Sequence, residues 1–596
     1  METKRPSWRR FQKLKLSKKV LARRAKKLEK GTMRHAHRFV TNRLNRLVQV
    51  RRQIFGWLAL VMILMLMSLA QWTLFRDAFM QSAPADGGTY TEGVLGPLET
   101  LNPLYARSNA EKSAARLLFA SLYHYDTTGN LKGDIASSVK VSDDEKTYTV
   151  SLRQDVKWSD GTPLTAHDVA FTANLLRNPA ARSEIAGWQS VRKVMALNDW
   201  TVQFELPAAY APFMHALTFP VVSQKALGGV NPAELREHQY STAPTTSGPF
   251  TLKLVQNSAN ALGTKKIVHM VANQPYHHGA PKLERFHLYA YASPDDITRG
   301  LAINEIIATP ELLHGQQQER YTHQSHSLNH GVYALFNNSA NSPLQSRQLR
   351  QALSRGVNQG VLRQKLPIQS GRLDGPILAS QLQKPLPSLL ADDIAKAKAL
   401  LDEAGWNMVN GERQKDGAPL KLRMVTLKNP LHEEMAKQLA LIWKTELGVA
   451  TEVRVIDPTD TTQDVLQTVL RPRQFDVLIY DLALGGDPDS YAYWHSSQAN
   501  ERGLNFANYN SAVADDALSG GRAKRSTRLR DEKYQTFVRH WQADAPALPL
   551  YQPYMKYTYL PSVRAMPQSQ RLVSPADRYA SVLYWSVRES SVYKTP

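Results

Sequence analysis

The chain has 596 residues, 42% of them hydrophobic, which is enough to bury more than one core. It contains no cysteine, which excludes disulfides, thiolate nucleophiles, Cys-based zinc sites and a lipid-modified cysteine anchor. The net charge of +22 is uneven, because residues 1–55 carry +17 and leave only +5 for the rest. A basic segment attracts nucleic-acid or lipid phosphates, but no aromatic interleaving or nucleic-acid module accompanies it, so no nucleic-acid partner is expected.

A long apolar segment follows this basic arm. Ile54–Phe75 gives 22 residues without a charge, enough for a helix to cross a hydrocarbon core about 30 Å thick. Trp57 and Trp72 lie near its ends, where amphipathic rings favour the membrane interface. Arg51 and Arg52 precede it within the basic flank, so the positive-inside rule places the N-terminus in the cytoplasm and the large body outside.

A cleavable signal peptide is the alternative, since "APA" at Ala83–Ala85 resembles a cleavage site. The long charged lead and the length of the apolar run exceed the proportions of signal peptides and favour an uncleaved signal anchor. The arm is expected either to lie as a basic helix against anionic lipid headgroups or to remain a solvated tail. Residues 76–86 are expected to form a short tether.

The body shows alternating strand and helix patterns. Lys146–Trp158 alternates with period two, Asp160 and Gly161 supply turn chemistry, and Thr165 begins a helix with a capping-box-like pattern. Residues 392–406 form an amphipathic helix that stops at Gly405, and residues 432–449 form a second one followed by the strand "ATEVRVI". Such alternation predicts an α/β fold with parallel pairing in covered sheets.

Catalytic motifs are missing from the sequence. There is no G-x-x-x-x-G-K-[ST] nucleotide loop, no H-E-x-x-H and no G-x-S-x-G, so an enzyme is not expected. His323, His326 and His330 recur at helical spacing, and His277 and His278 form a doublet. One helical face could present the triplet to a metal, but "YTHQSHSLNHG" is polar all round, which favours ordinary exposed imidazoles on a surface connection. No metal or other cofactor is predicted.

Several segments in order resemble a known family. "SVKVSDDEKTYTVSLRQDVKWSDGTPLTAHDVAFT" closely resembles the signature region of the family 5 extracellular solute-binding proteins, the oligopeptide, dipeptide and nickel receptors of bacterial ABC importers. Further similar segments are "GGTYTEGVLGPLETLNPLY", "TTSGPF", "FNNSANSPLQSRQLRQALSRGVNQ", "AKALLDEAGW", "FDVLIYDLALGGDPDSYAYW" and "ADAPALPLYQPY". The similarity runs from about Gly87 to near the C-terminus and leaves the first 86 residues outside.

The resemblance implies a two-lobed, periplasmic-binding-protein-like fold of type II, here preceded by one transmembrane helix. Its lobes would be joined by crossings near Gly331–Asn337 and Leu548–Tyr554, and would close around a ligand. The predicted segments are the basic cytoplasmic arm (1–53), the transmembrane helix (54–75), the tether (76–86), lobe I (87–330), lobe II (331–554) and a return to lobe I (555–596).

One departure from the family bears on the ligand. Peptide-binding members carry an Asp four residues before the Pro of the cleft-strand motif, where it pairs with the ligand's α-ammonium group, and this position is Leu484. A leucine cannot make that charge-assisted bond. Asp481 and Asp487 are the nearest replacements: Asp481 lies either on the cleft or at a water-exposed strand end, and Asp487 is expected to shape its turn. Tyr480 and Trp494 are the remaining candidate ligand-binding residues. Aromatic residues at such spacing also suit core packing.

The resemblance thus predicts a membrane-anchored, extracytoplasmic substrate-binding protein of an ABC importer. It would capture peptides or similar elongated solutes and deliver them to the permease and ATPase subunits, with membrane lipid as a further partner. The alternative is a sensor or scaffold that reports ligand occupancy through the helix to the basic arm.

Overall fold

The computed structural model describes residues 51–260, 263–311, 320–386, 392–457 and 466–593, with a few isolated positions before residue 51. The chain divides into two compact units, Met1–Ala83 with Ser590–Pro596, and Pro84–Glu589. The predicted basic arm therefore lies almost entirely outside the described residues, and neither alternative for it is tested.

The first described element is a long apolar helix, α1 (Arg51–Phe79). Its stretch Phe55–Phe75 has a mean hydropathy of 2.1 and no buried residues, so by length and composition it can cross a membrane. The helix extends beyond the predicted span at both ends and includes part of the predicted tether. The strand β1 (Met80–Ala85) follows directly.

Strands dominate the chain up to residue 327. They are β2 (Thr89–Leu95), β3 (Tyr123–Tyr125), β4 (Leu131–Gly133), β5 (Ala136–Val141), β6 (Thr147–Leu152), β7 (Lys193–Asn198), β8 (Thr201–Glu205), β9 (Phe250–Asn260), β10 (Gly263–Ala272), β11 (Arg285–Tyr291), β12 (Ala308–Thr309) and β13 (Thr322–Ser327). The helices between them are α2 (Asn109–Leu118), α3 (Ala166–Arg177), α4 (Phe213–Ala216), α5 (Gln224–Leu227) and α6 (Pro294–Ala302).

Helices are more frequent in the second part of the chain. They are α7 (Arg347–Arg355), α8 (Gln359–Gln364), α9 (Ile394–Glu403), α10 (Pro430–Ile442), α11 (Tyr491–Trp494), α12 (Ala512–Arg522) and α13 (Thr527–Asp544). The strands are β14 (His330–Phe336), β15 (Ser370–Gly371), β16 (Asn407–Val409), β17 (Glu412–Lys415), β18 (Ala418–Pro419), β19 (Lys421–Leu427), β20 (Ala450–Ile456), β21 (Val477–Ala483), β22 (Ala547–Tyr559) and β23 (Arg588–Tyr593).

The strand, turn and helix predicted around residue 160 are confirmed. β6 ends at Leu152, earlier than the alternating pattern, and Gly161 closes the turn with a φ of 83° that only glycine adopts without strain. The backbone N–H of Thr165 donates to Asp168 Oδ2 at 2.9 Å, so the two residues cap the start of α3 as expected. The two amphipathic helices are also confirmed, as α9 and α10.

The sheets are mixed, whereas the sequence pattern predicted parallel pairing. The largest has 12 strands in the order β20-β19-β21-β14-β22-β12-β2-β11-β10-β9, with β13 and β15 also pairing with β22. β19 is parallel to β20 and β21, and β2 is parallel to β11. β14 pairs antiparallel with β21 and β22, and β9 with β10, because these strands return through hairpins or from distant parts of the chain. A separate antiparallel sheet has the order β5-β6-β8-β7.

The body is built around two major core regions. The first unites residues from β2 to β12 with Met555, Tyr557 and Tyr559 of β22, and we call the part around it lobe I. The second lies on both faces of the β14–β21 pair, and we call the part around it lobe II. The chain changes core between Leu328 and Val332 and again between Tyr551 and Met555. The lobe boundaries at residues 330 and 554 stay predictions.

Candidate functional site

Lobe I contains a cavity of about 350 Å³, which we call the α2 cavity. Its walls come from α2, β3 and the segment after Ser574. α2 is held at its start by a capping box, in which Ser108 Oγ accepts the N–H of Glu111 at 3.0 Å and the Glu111 carboxylate accepts the N–H of Ser108 at 3.1 Å. The polar residues that line the cavity include Lys112, Arg116, His124, Tyr125, Glu184 and Asp577.

The α2 cavity has unsatisfied polar atoms in its walls. Arg116 Nε and His124 Nδ1 are buried and have no hydrogen-bond partner among the described residues. Such atoms cost about 1–3 kcal/mol each unless a ligand or water satisfies them. Burial and the nearby Arg116 lower the pKa of His124 to about 4, so its imidazole is neutral and can accept a hydrogen bond. Burial also raises the pKa of Asp577, against the opposing effect of Arg116.

The rim of this cavity touches lobe II at one point. The backbone of Gly486, in the loop after β21, packs against the ring of Tyr125, and a Cβ at Gly486 would lie 2.5 Å from Tyr125 Cε1. Tyr125 is held in place because its hydroxyl is 2.8 Å from His215 Nδ1. Only a glycine therefore permits this close approach of the two lobes.

Asp487 takes part in a first contact between the lobes. Its carboxylate pairs with Arg530 of α13 and lies 3.7 Å from Nε2 of His215, which belongs to lobe I. The same carboxylate accepts the N–H of Asp489 at 3.0 Å, so Asp487 also shapes its turn. Burial lowers the pKa of His215, and Asp487 opposes that shift.

Asp489 forms the second contact. Its Oδ2 accepts hydrogen bonds from Arg522 Nη2 at 2.8 Å and from the hydroxyl of Tyr210 at 3.3 Å. The guanidinium of Arg522 also lies over the Tyr210 ring, 4.9 Å from its centroid. The N–H of Ala211 donates to the carbonyl of Arg522 at 2.8 Å, so lobe I and lobe II meet here through side chains and backbone.

Asp481 lies at the lobe II edge where β19 and β21 end. The two strands are parallel, so their carboxyl ends share one edge, the usual place for ligands in such sheets. Asp481 Oδ2 is 3.1 Å from His330 Nδ1, and its side chain is 39% exposed, which leaves acceptor capacity for a further partner. Burial lowers the pKa of His432, although nearby Asp481 opposes this effect.

The other candidate residues occupy the lobe II core. Leu484 is buried in the core of lobe II, and its role in ligand binding stays a prediction. Tyr480 packs its ring edge-on against Phe506 and faces the core opposite to Asp481. Trp494 is fully buried between Tyr333 and Trp541, which agrees with the core alternative, and its role in ligand binding stays a prediction. Its four-residue helix turns the ring inward, where aromatic packing stabilises it.

The histidine triplet is not on a helix. His323 and His326 belong to β13 and His330 begins β14, so the polar segment predicted as a surface connection is a strand that pairs with β22. His326 is buried and its Nδ1 is 3.0 Å from the carbonyl oxygen of Gln570. His323 Nδ1 lies 3.0 Å from Thr558 Oγ1. Because side chains alternate along a strand, the three imidazoles have separate partners.

The sequence analysis did not identify most of the polar residues that line the α2 cavity. Arg116 and Asp577 come from opposite ends of the body and meet only because the C-terminal segment returns to lobe I. A local pattern was available for Asp577, since Ser574 followed by an acid three residues later is a capping-box pattern, and the N–H of Ser574 does donate to Asp577 at 2.7 Å. No local pattern identifies Arg116 or His215.

Comparisons with known proteins agree with this architecture. Residues 130–503 match the bacterial extracellular solute-binding proteins, family 5, in the middle region of that family. Protein XP55 of Streptomyces lividans is 29% identical over 489 residues, which cover 77% of this chain and 83% of the relative. The oligopeptide-binding protein AppA of Bacillus subtilis is 25% identical over 495 residues, which cover 79% of this chain and 87% of AppA.

Solved structures show the same fold. The structure of AppA from Bacillus subtilis in complex with a nonapeptide has a TM-score of 0.67 at 22% identity, over 85% of this chain and 100% of AppA. NikZ from Campylobacter jejuni, in complex with Ni(L-His), has a TM-score of 0.68 at 22% identity, over 84% of this chain and 99% of NikZ. The chain therefore belongs to the family 5 bacterial extracellular solute-binding proteins, two-lobed and non-enzymatic receptors of ABC importers.

Proposed function

We propose that this protein is the membrane-anchored substrate-binding component of an ABC importer and that it captures peptides between its lobes. The main support is the arrangement at the α2 cavity, which is lined by the cationic residues Lys112 and Arg116 and by Tyr125, the residue that packs against Gly486 in the lobe II loop after β21. A ligand in this cavity would contact lobe I directly and would be covered by lobe II on closure. The similarity to an oligopeptide-binding protein favours peptides as cargo.

Charged groups in the two lobes would suit a zwitterionic peptide. Arg116 and Lys112 provide cationic groups in lobe I for a carboxylate, and Asp481 provides an anionic group in lobe II for an ammonium group. Asp481 would take the place of the family's carboxylate at position 484. Backbone hydrogen bonds along an extended ligand would add affinity that does not depend on peptide sequence.

Anchoring would keep the receptor near its permease. α1 is apolar over Phe55–Phe75, and the basic residues before it favour a cytoplasmic N-terminus with the body outside the membrane. Tethering raises the local concentration of a loaded receptor at the membrane, which suits delivery to an embedded partner. The sensor alternative would require ligand-dependent changes in the arm, which delivery to a permease does not.

Ligands that co-purify with the full chain test the cargo. The protein is purified in detergent, denatured, and the released small molecules are identified by mass spectrometry. A mixture of short peptides is the expected result, since backbone-mediated binding tolerates many sequences. A single non-peptide compound, together with no binding of a peptide library in calorimetry, would refute peptides as cargo.

Gly486→Ala tests whether closure of the lobes produces binding. The added methyl group would displace Tyr125, so we expect peptide affinity to fall by about tenfold or more, the equivalent of an overpacking cost of about 1–3 kcal/mol. Gly229→Ala is the matched control, because a Cβ there meets no atom within 4 Å. Equal peptide affinity of the two variants would contradict the proposed site.

A further inference from the structure

A separate cluster of metal-ligating side chains lies in lobe I. Asp134, between β4 and β5, has a fully buried side chain. Its Oδ1 lies 2.8 Å from His277 Nε2 and 3.2 Å from His278 Nε2, and its Oδ2 accepts the N–H of Ser121 at 3.0 Å. The donor atoms of the three residues all lie within 4.8 Å of one another, in the only such group of three or more among the described residues.

The two histidines are held by a short, well-bonded turn between β10 and β11. The N–H of Gly279 donates to the carbonyl of Tyr276 at 2.8 Å, and the φ of Gly279 is 94°. Arg153 Nη2 donates to the carbonyl of His277 at 3.1 Å. The turn therefore aims two consecutive imidazoles at one carboxylate oxygen, an orientation that adjacent residues in an extended strand could not adopt.

The cluster is a site inside the protein and not a surface patch, because the side chains of Asp134 and His277 are at most 1% exposed. The side chain of His278 is 27% exposed, which leaves a route from solvent to the cluster.

We propose that Asp134, His277 and His278 bind a divalent transition-metal ion, with Zn²⁺ as the best match. Two imidazole nitrogens and one carboxylate oxygen are donors that zinc accepts, and the absence of cysteine leaves no thiolate to compete. Tetrahedral zinc with ligands at about 2.0–2.1 Å holds each pair of donor atoms about 3.3 Å apart. The two pairs that include Asp134 Oδ1 lie at 2.8 Å and 3.2 Å, and all three pairs lie within 4.8 Å, so small side-chain movements would complete the site. The ion would replace the protons now shared with Asp134, and water would fill the remaining position.

All three ligands belong to lobe I, so the inference does not depend on the cargo or on closure. The full chain, purified in detergent with a tag that contains no histidine and stripped with a chelator, is titrated with Zn²⁺ in competition with a zinc indicator. Co²⁺ is added in parallel, because its visible absorption reports tetrahedral coordination. The variants are His278→Gln, Asp134→Asn and the control His287→Gln, which disrupts the other close imidazole pair, His269 and His287, whose ring centroids are 4.3 Å apart.

We expect one equivalent of Zn²⁺ to bind to the wild type and to the control. In His278→Gln the zinc affinity should fall by more than about 100-fold. Removal of a residue that only hydrogen-bonds to a metal ligand typically costs about 10–100-fold, and removal of a ligand itself costs more. His278→Gln is the principal variant because its side chain is partly exposed, and circular dichroism confirms that each variant is folded. Absence of stoichiometric binding to the wild type, unchanged affinity in His278→Gln, or loss of binding in His287→Gln would overturn the inference.

Discussion

The interior of lobe I and the boundary between the lobes both contain buried ion pairs, but of different kinds. In the interior, Glu92 and Arg578 are at most 1% exposed, and Glu92 accepts two hydrogen bonds from Arg578, at 3.1 Å and 3.0 Å, and one from Tyr557 at 2.8 Å. At the boundary, Asp489 is 7% exposed but its partner Arg522 is 29% exposed. The interior pair is dry and fully bonded, whereas the boundary pair remains open to water.

This difference matches what each pair joins. Glu92 on β2 and Arg578 near the C-terminus bring the two ends of the body into one lobe, which has no need to change shape. Asp487 and Asp489 form ion pairs with arginines of their own lobe II. They reach lobe I through His215 and the hydroxyl of Tyr210. Contacts of this kind contribute less free energy than a buried charge pair, so these contacts hold the boundary more weakly than Glu92 and Arg578 hold the interior.

Glu92→Gln should have the largest effect, on stability. It removes one charge of a buried pair and leaves Arg578 uncompensated, so we expect the free energy of unfolding to fall by about 3–5 kcal/mol. Denaturant unfolding of the full chain measures this change. Glu532→Gln, in an exposed pair with Arg528, should alter stability by less than about 0.5 kcal/mol, and similar losses in both variants would remove the distinction between the regions.

Acid should destabilise the interior through His124. Its pKa is near 4 when folded and 6.5 in the unfolded chain, so the unfolded state binds more protons and stability rises with pH between these values. His124 alone would account for up to about 3 kcal/mol over this range. In unfolding titrations at several pH values, His124→Gln should flatten the slope. The exposed His167→Gln is the control, and an unaltered slope in His124→Gln would contradict the assignment.

Asp487→Asn should weaken the boundary and leave the interior intact. Asp487 contacts lobe I through His215, and its ion pair with Arg530 orients the loop within lobe II, so loss of its charge should favour separated lobes by up to about 1.5–3 kcal/mol, the usual range for hydrogen bonds to charged groups. Small-angle X-ray scattering should then show a larger radius of gyration with an unchanged melting temperature of the lobe I core. Asp516→Asn, at an exposed pair with Lys533, is the matched control and should scatter like the wild type.

Asp481→Asn should have the smallest effect, confined to ligand binding. If this carboxylate holds a peptide ammonium group, affinity should fall by about 1–3 kcal/mol in calorimetry with a co-purified peptide. Stability should barely change, because the side chain is 39% exposed. Unchanged affinity would assign ammonium recognition to another group and leave Asp481 as a partner of His330 alone.

Much of the fold could be predicted because its determinants are local. The charge-free run before Phe75, the turn at Gly161 and the cap at Thr165 each lie within a few consecutive residues, and each is present as expected. Strand direction was harder to predict, because β14 and β22 pair across more than two hundred residues. Hydrophobic periodicity gives the face of a strand but not its neighbour.

The site was less predictable because it is assembled from distant segments. The strand predicted before Pro488 is present as β21, and Trp494 is buried in the core, an alternative that the sequence left open because it does not give the direction of a short helix. Spacing also misled for His323, His326 and His330, because residues three or four apart fit a helix as well as a polar strand. The contacts between the lobes depend on tertiary structure and have no counterpart in sequence spacing.

The continuity of β22 constrains how the receptor can move. Leu548 and Tyr551 pack in the core of lobe II, and Met555 and Tyr557, further along the same strand, pack in the core of lobe I. A relative rotation of the lobes must therefore twist an unbroken hydrogen-bonded strand. Twisting this strand would cost free energy, so β22 would limit how far the lobes open. The same cost would favour the return of the lobes to their closed arrangement when a ligand binds.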